Sequence, residues 1–173
     1  LIPIYPNIGE ALKANPDVDT MVNFASFRSA YDSTKEALEH KNIRVVGVIA
    51  EGVPERKERE LGHLAKKLGK IIIGPATVGA IGAGAFKVGN TGGTLENIRD
   101  QKLYRRGSVG LVTKSGGLLN EMFNIISHNS DGIFEGVAIG GDEYPGSSLV
   151  DHVMRYEHNH KIKMIVALGE LGG

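Results

Sequence analysis

A chain of 173 residues has room for one domain or two small ones, and 41% hydrophobic against 23% charged residues is enough to bury a core. Twenty Lys and Arg balance twenty Asp and Glu, which excludes a general nucleic-acid binder and an electrostatic membrane anchor, since both need surplus positive charge. The lack of cysteine removes disulfides, iron–sulfur clusters, zinc–thiolate sites and cysteine nucleophiles, and no apolar run approaches the roughly 20 residues that cross a bilayer.

The first residues, Leu1-Ile2-Pro3-Ile4-Tyr5, do not read as a signal peptide, and a cytoplasmic protein is expected. A short helical pattern at Gly9–Ala14 precedes a strand at Thr20–Phe24. A helix over Ser29–His40 and a strand over Arg44–Ala50 follow. Leu61, Leu64, Ala65 and Leu68 then recur at helical spacing, with Pro54 suited to the first turn and Gly69 to the residue after the last. The strand Lys70–Gly74 gives way to a glycine-rich stretch from Gly79 to Gly93 that reads as irregular, and then to a weak helix at Leu95–Gln101. After Lys102-Leu-Tyr-Arg-Arg-Gly107 come a strand at Ser108–Thr113, an apolar helical stripe of Leu118, Leu119, Met122, Ile125 and Ile126, and a strand at Gly132–Ile139. A helix at Ser148–Glu157 and a strand at Lys163–Leu168 close the series. The strands are rich in Val and Ile without polar alternation, as in parallel sheets covered on both faces. Alternating strands and helices predict an α/β protein with mainly parallel sheets. A boundary is expected near 102–107, giving domains 1–104 and 105–173. The missing initiator methionine and the end just after a strand suggest two incomplete domains of a longer protein.

Glycine is the composition's outlier: 24 residues, about twice the usual share of about 7%. The glycines cluster after strands, in Asn23-Phe-Ala-Ser-Phe-Arg-Ser29, Ala50-Glu-Gly-Val-Pro-Glu55, Gly74-Pro-Ala-Thr-Val-Gly79, Thr113-Lys-Ser-Gly-Gly117, Ile139-Gly-Gly-Asp-Glu-Tyr-Pro-Gly146 and Gly169-Glu-Leu-Gly-Gly173, with only the first built on Ser and Asn instead. In an open parallel sheet such loops share the edge where ligands bind, although ordinary turns also need Gly, Pro and Asn. Thr113-Lys-Ser-Gly-Gly117 ends a strand and opens a helix, so its N–H groups and the helix dipole would face an anion. Glu51 and Glu170 each stand at a strand's end beside a glycine, facing the crevice or capping a turn. There is no P-loop and no properly spaced G-x-G-x-x-G, and none of the six histidines forms an H-E-x-x-H pair.

Ala50-Glu-Gly-Val-Pro, Gly74-Pro-Ala-Thr-Val-Gly, Thr113-Lys-Ser-Gly-Gly, Ile139-Gly-Gly-Asp with Pro145-Gly146, and Gly169-Glu-Leu-Gly-Gly occur in order. The series resembles the α-subunit half of the succinyl-CoA synthetase superfamily of ADP-forming acyl-CoA ligases. Asn23–Ser33, Lys87-Val-Gly-Asn-Thr-Gly-Gly93 and Lys102-Leu-Tyr-Arg resemble the ATP-citrate lyase family more than succinyl-CoA synthetase.

That resemblance implies a Rossmann-like CoA-binding domain followed by a flavodoxin-like ligase domain, both incomplete here. It implies a reaction in which Mg-ATP phosphorylates a histidine, the phosphoryl group passes to citrate, and CoA forms citryl-CoA, cleaved to acetyl-CoA and oxaloacetate. By the same match Phe24, Ser26, Arg28, Ser29 and Ile49 bind CoA, and Ser115, Gly116, Gly117 and Asn120 hold phosphate or citrate. Glu51 works near the phosphohistidine, and Glu170 is tied to that histidine and to Mg²⁺. The phosphorylated histidine belongs to a motif downstream of Gly169-Glu-Leu-Gly-Gly173 and has no counterpart here. The ATP-grasp and citrate-synthase-like portions are expected in the same or a partner chain, in an oligomer, so this segment alone is expected to be inactive. A citryl-CoA synthetase or succinyl-CoA synthetase α-type subunit is the alternative within the class. A non-catalytic acyl-CoA- or nucleotide-sensing module is the alternative outside it.

Overall fold

The computed structural model describes residues 2–171, so Leu1 and the last two glycines of the closing Gly169–Gly173 motif lie outside it. Three parallel strands, β1 (Thr20–Asn23), β2 (Val45–Val48) and β3 (Ile71–Ile73), form the first sheet in that order. The helices α1 (Ile8–Ala14), α2 (Phe27–Glu39) and α3 (Glu55–Leu68) connect and cover it. Capping chemistry sets the bounds of α3. Pro54 stands at its N-cap, and Gly69 at φ 65° donates its N–H to the Ala65 and Lys66 carbonyls. Ala30, Ala37 and Leu38 of α2 and Leu61 and Ala65 of α3 bury against Val46, Val48 and Ile72.

The second sheet holds β4 (Gly79–Gly82), β5 (Phe86–Gly89), β6 (Val109–Thr113), β7 (Ile133–Ala138) and β8 (Met164–Leu168), ordered β5-β4-β7-β6-β8. β6 runs parallel to both β7 and β8, and every one of its residues is buried. Its alternation separates two layers. Leu111 packs with Leu119 and Phe123 of α5 (Gly116–Asn129), whereas Val112 packs with Tyr156 of α6 (Leu149–Glu157). A short α4 (Leu95–Asp100) precedes β6.

All six strands expected from the apolar runs form. The hairpin β4–β5 does not announce itself in the sequence, because its glycines carry no strand propensity. Pairing supplies the missing preference: Ile81 lies opposite Lys87 on one side and Gly136 on the other, antiparallel to both. The sequence places a domain boundary at 104/105, yet the sheets part earlier, between Ile73 and Gly79, because this hairpin belongs to the second sheet.

The segment after β3 joins the sheets. Ala76 N–H donates to Ala50 O at 2.8 Å, beyond the end of β2, while Gly74 N–H donates to Ile139 O at 2.9 Å, beyond the end of β7. In return Gly141 N–H donates to Ala76 O and Gly146 N–H to Gly74 O. Ile73 of the first sheet shares a buried cluster with Val112 and Val137 of the second.

Close backbone approach demands glycine here. Gly140 has φ 113°, and a Cβ built on it would stand 1.9 Å from Pro75 O. Gly140→Ala is expected to lower the stability of the complete protein by about 2–5 kcal/mol, combining backbone strain with an unrelieved clash. Urea unfolding measures it, and a change within about 0.5 kcal/mol, as at an ordinary surface site, would contradict the joint described here.

Candidate functional site

The carboxyl ends of β2, β6, β7 and β8 open on one cleft of about 490 Å³. Ile49 and Glu51 come from the first sheet, Ser115, Gly116 and Gly117 from the start of α5, and Glu170 from beyond β8. Ala76, Thr77, Val78, Asn90, Gly141 and Asp142 complete the lining. Ser115 and Glu170 thus share an edge, as the parallel pairing of Thr113 with Leu168 requires.

Ser115 is the N-cap of α5, its Oγ accepting the Leu118 N–H over a long 3.4 Å. Gly116 is glycine for packing, because a Cβ there would meet Val78 Cγ1 at 2.6 Å. Gly117 is different: a Cβ there would meet nothing nearer than Ser115 Oγ at 3.7 Å and would project into open space. Helix amides with the dipole behind them can bind an anion at such a place. Asn120 does not reach the cleft. Its Oδ1 accepts the Gly92 N–H at 3.0 Å and anchors the loop after β5.

Asp142 was only part of a glycine motif in the sequence, and the structure gives it a defined position. Its carboxylate accepts the Gly52 N–H at 3.1 Å and so ties the turn bearing Glu51 to the turn after β7. Thr77 donates to Ala138 O at 2.6 Å and accepts the Gly79 N–H at 2.8 Å, which makes it part of the wall's construction. Asn90 is an exposed amide on the rim, hidden at the sequence level inside a stretch that read as irregular. The lining contains no Lys or Arg. Among the described residues no three acidic or imidazole groups converge as a metal site, so Glu170 would offer Mg²⁺ one ligand, the rest coming from phosphate oxygens and water.

Phe24, Ser26, Arg28 and Ser29 form a separate exposed corner after β1. Ile49 links it to the cleft, its N–H donating to Asn23 O at 3.0 Å. The Ser26 side chain leaves the first amides of α2 uncapped, and the Arg28 guanidinium lies 5.5 Å from the Phe27 ring centre. The corner's shape depends on Asn23, which is 2% exposed. Its amide donates to Ser33 Oγ at 2.8 Å and Thr34 Oγ1 at 2.9 Å, and its Oδ1 accepts the Ala25 N–H at 2.9 Å.

A larger cleft of about 730 Å³ lies between α3 and the loop leading into α6. It contains Ser147 Oγ at 3.0 Å from His152 Nε2, a pair that invites a catalytic reading. The other ring nitrogen rules that out. Nδ1 faces Arg155 Nη2 at 3.0 Å, and a guanidinium can only donate, so Nδ1 accepts and Nε2 carries the proton. The lone pair that would activate Ser147 is therefore absent. Burial, and then the Arg155 charge, depress the His152 imidazole to about 4.

Residues 112–173 match the CoA-ligase family. The whole chain is 57% identical to 26% of ATP-citrate synthase subunit 1 of Sordaria macrospora. It is equally identical to 16% of the ATP-citrate synthase of Bos taurus, so it spans about a quarter of one relative and a sixth of the other. A structure of ATP citrate lyase from Methanothrix soehngenii in complex with citrate and coenzyme A superposes with TM-score 0.96 at 63% identity. That match covers 97% of this chain and 27% of that one. A dinucleotide-forming acetyl-coenzyme A synthetase from Ca. Korarchaeum cryptofilum shares the fold, with TM-score 0.71 at 18% identity.

Asn23→Ala leaves the Ala25 N–H and two hydroxyls without their partner, which is expected to cost about 1–3 kcal/mol. Chemical unfolding together with proteolysis of the 24–29 corner measures this. Wild-type stability and an unaltered cleavage pattern would show that Asn23 does not hold the corner.

Proposed function

We propose that this chain, a relative of the ATP-citrate lyases along its whole length, forms the CoA-binding and anion-binding part of a citrate-cleaving enzyme. The observation that carries the reading is the shared cleft: the Gly116 and Gly117 backbone at the start of α5, with Glu51 and Glu170 around it. The complete reaction converts citrate, ATP and CoA to acetyl-CoA, oxaloacetate, ADP and phosphate. The ATP-grasp and cleavage portions belong elsewhere in a cytoplasmic oligomer. The division at 104/105 is proposed with it as a division of function, CoA before it and the ligase part after it, although the hairpin β4–β5 pairs into the second sheet.

In this account Gly116 and Gly117 N–H groups hold a phosphoryl or carboxylate oxygen. Glu51 or Glu170 accepts the one N–H of the incoming imidazole, leaving its other nitrogen free as a nucleophile in one step and as the phosphoryl donor in another. Mg²⁺, when bound, supplies charge neutralisation for the phosphates. Arg28 and the uncapped amides of α2 take a phosphate of CoA, with Phe24, Ser26, Ser29 and Ile49 lining its path.

Two variants of the complete enzyme separate the binding sites by calorimetry. Gly117→Val should fold normally, since a side chain there meets open space, yet abolish citrate or phosphate binding and leave CoA binding intact. Arg28→Ala should weaken CoA by about 1.5–3 kcal/mol, as for a lost bond to a charged group, and leave the anion unaffected. Unchanged anion affinity in the first, or unchanged CoA affinity in the second, would remove the corresponding assignment.

A further inference from the structure

Glu58 is an acidic residue of the first turn of α3, where a helix ordinarily shows its charges to water, yet it is 2% exposed. Its Oε2 accepts the Tyr144 N–H at 3.1 Å. Its Oε1 is buried and has no donor among the described residues. An ionised carboxylate with a bare buried oxygen is not tolerated without a partner. The group facing it is another acid, Asp142, whose carboxylate already accepts the Gly52 N–H. Two carboxyls in contact hold one proton between them. Oε1, the atom with no donor of its own, is where that proton belongs.

The charges around the pair do not offer an alternative. Arg59, next along α3, is turned away, with its guanidinium 4.0 Å over the Tyr144 ring and bonded to the Tyr144 hydroxyl. Lys114 donates to the backbone oxygen of Asp142 at 3.3 Å, not to the carboxylate. Glu55, on the same helix, adds negative charge. His63, Lys66, Glu143 and His152 line the outer cleft with Glu58. Among the described residues, salt bridges join only Arg56 to Glu60 and Arg155 to Glu135.

We propose that the buried Glu58 carboxyl carries a proton on Oε1 and donates it to the Asp142 carboxylate, as a clasp fixing the turn after β7 against α3. Through the Asp142–Gly52 bond the clasp also holds the corner that bears Glu51, so Glu58 is a positioning residue for the cleft. It stands on the carboxyl geometry and does not depend on citrate or CoA being the ligands.

Burial first, and Asp142 second, lift the Glu58 carboxyl from 4.5 to about 7. A raised value means that the folded state keeps a proton the unfolded state releases. The clasp's contribution is therefore complete below about 4.5 and is lost as pH rises through about 7. Above that, like charges on Glu58 and Asp142 push the turn away from α3. His152 titrates in the opposite sense: its contribution is complete above 6.5 and lost as pH falls through about 4. The two overlap and offset in the wild-type profile, so only comparison with a Glu58 variant isolates the clasp.

Glu58→Gln keeps the shape, accepts the Tyr144 N–H and donates permanently to Asp142. In the complete protein, infrared difference spectra against this variant should show one buried carboxylic-acid band that disappears as pH passes about 7. Hydrogen exchange at Gly52 and Tyr144, corrected for intrinsic rates, should lose about tenfold protection between about pH 6 and pH 8 in the wild type and none in Glu58→Gln. Absence of the band, or the same pH dependence in both proteins, would overturn the clasp. If Glu58→Gln does not fold, Asp142→Asn decides: removing the neighbouring charge must move the band's titration to lower pH, and an unmoved titration refutes the pairing.

Discussion

The cleft exists because one short backbone segment, residues 74–76, is bonded to both sheets at once. Ala76 reaches Ala50 beyond β2, while Gly74 reaches Ile139 beyond β7 and accepts from Gly146. These main-chain bonds join buried Gly74 and Ile139 and half-buried Ala50, Ala76 and Gly146, where an unpaired group is costly, so the two sheets cannot separate without breaking several together. The shared cluster around Ile73, Val112 and Val137 reinforces the joint. With both sets of strands ending at this seam, loops distant in sequence are obliged to face each other: Glu51 opposite Ser115, and Glu170 beside them.

The chemistry of the cleft follows from what surrounds the start of α5. Backbone amides supply the positive end, and no Lys or Arg lines the cleft, while Glu51, Asp142 and Glu170 do. A helix terminus contributes roughly 0.3–1 kcal/mol to an exposed anion and up to about 2 kcal/mol in a partly buried one. That is a weak hold against three carboxylates. Such a cleft holds a bare phosphate weakly and a phosphoryl group accompanied by a cationic partner, an imidazole or a metal ion, more firmly.

Much of this was legible in the sequence, and the exceptions have physical causes. The parallel strands were visible because strands covered on both faces need uninterrupted Val and Ile, as in Arg44–Ala50. The bounds of α3 were visible because Pro54 and Gly69 act through local geometry alone. The hairpin β4–β5 was not, since Gly79 and Gly82 gain their strand conformation only by pairing across the sheet. The same limit applies at the cleft. The motif around Ser115 could be read from strand-end logic, and the structure brings it to Glu51 and Glu170. The family resemblance grouped Asn120 with Ser115, Gly116 and Gly117, yet its side chain serves Gly92. Asp142 and Glu58 depend on a partner 84 or more positions away, which no local pattern encodes. Three of the glycines that suggested ligand contact, Gly74, Gly79 and Gly140, instead allow backbone to meet backbone.

The central claim is that the seam between the sheets delivers a phosphate-sized anion to the start of α5. The most direct measurement is a crystal structure of the complete protein soaked in inorganic phosphate. The account predicts phosphate oxygens within hydrogen-bond distance of the Gly116 and Gly117 amides, with Glu170 on the same cleft but not touching the bare anion. Phosphate lodged instead in the larger cleft between α3 and α6, or a start of α5 still free of anion at saturating phosphate, would contradict it.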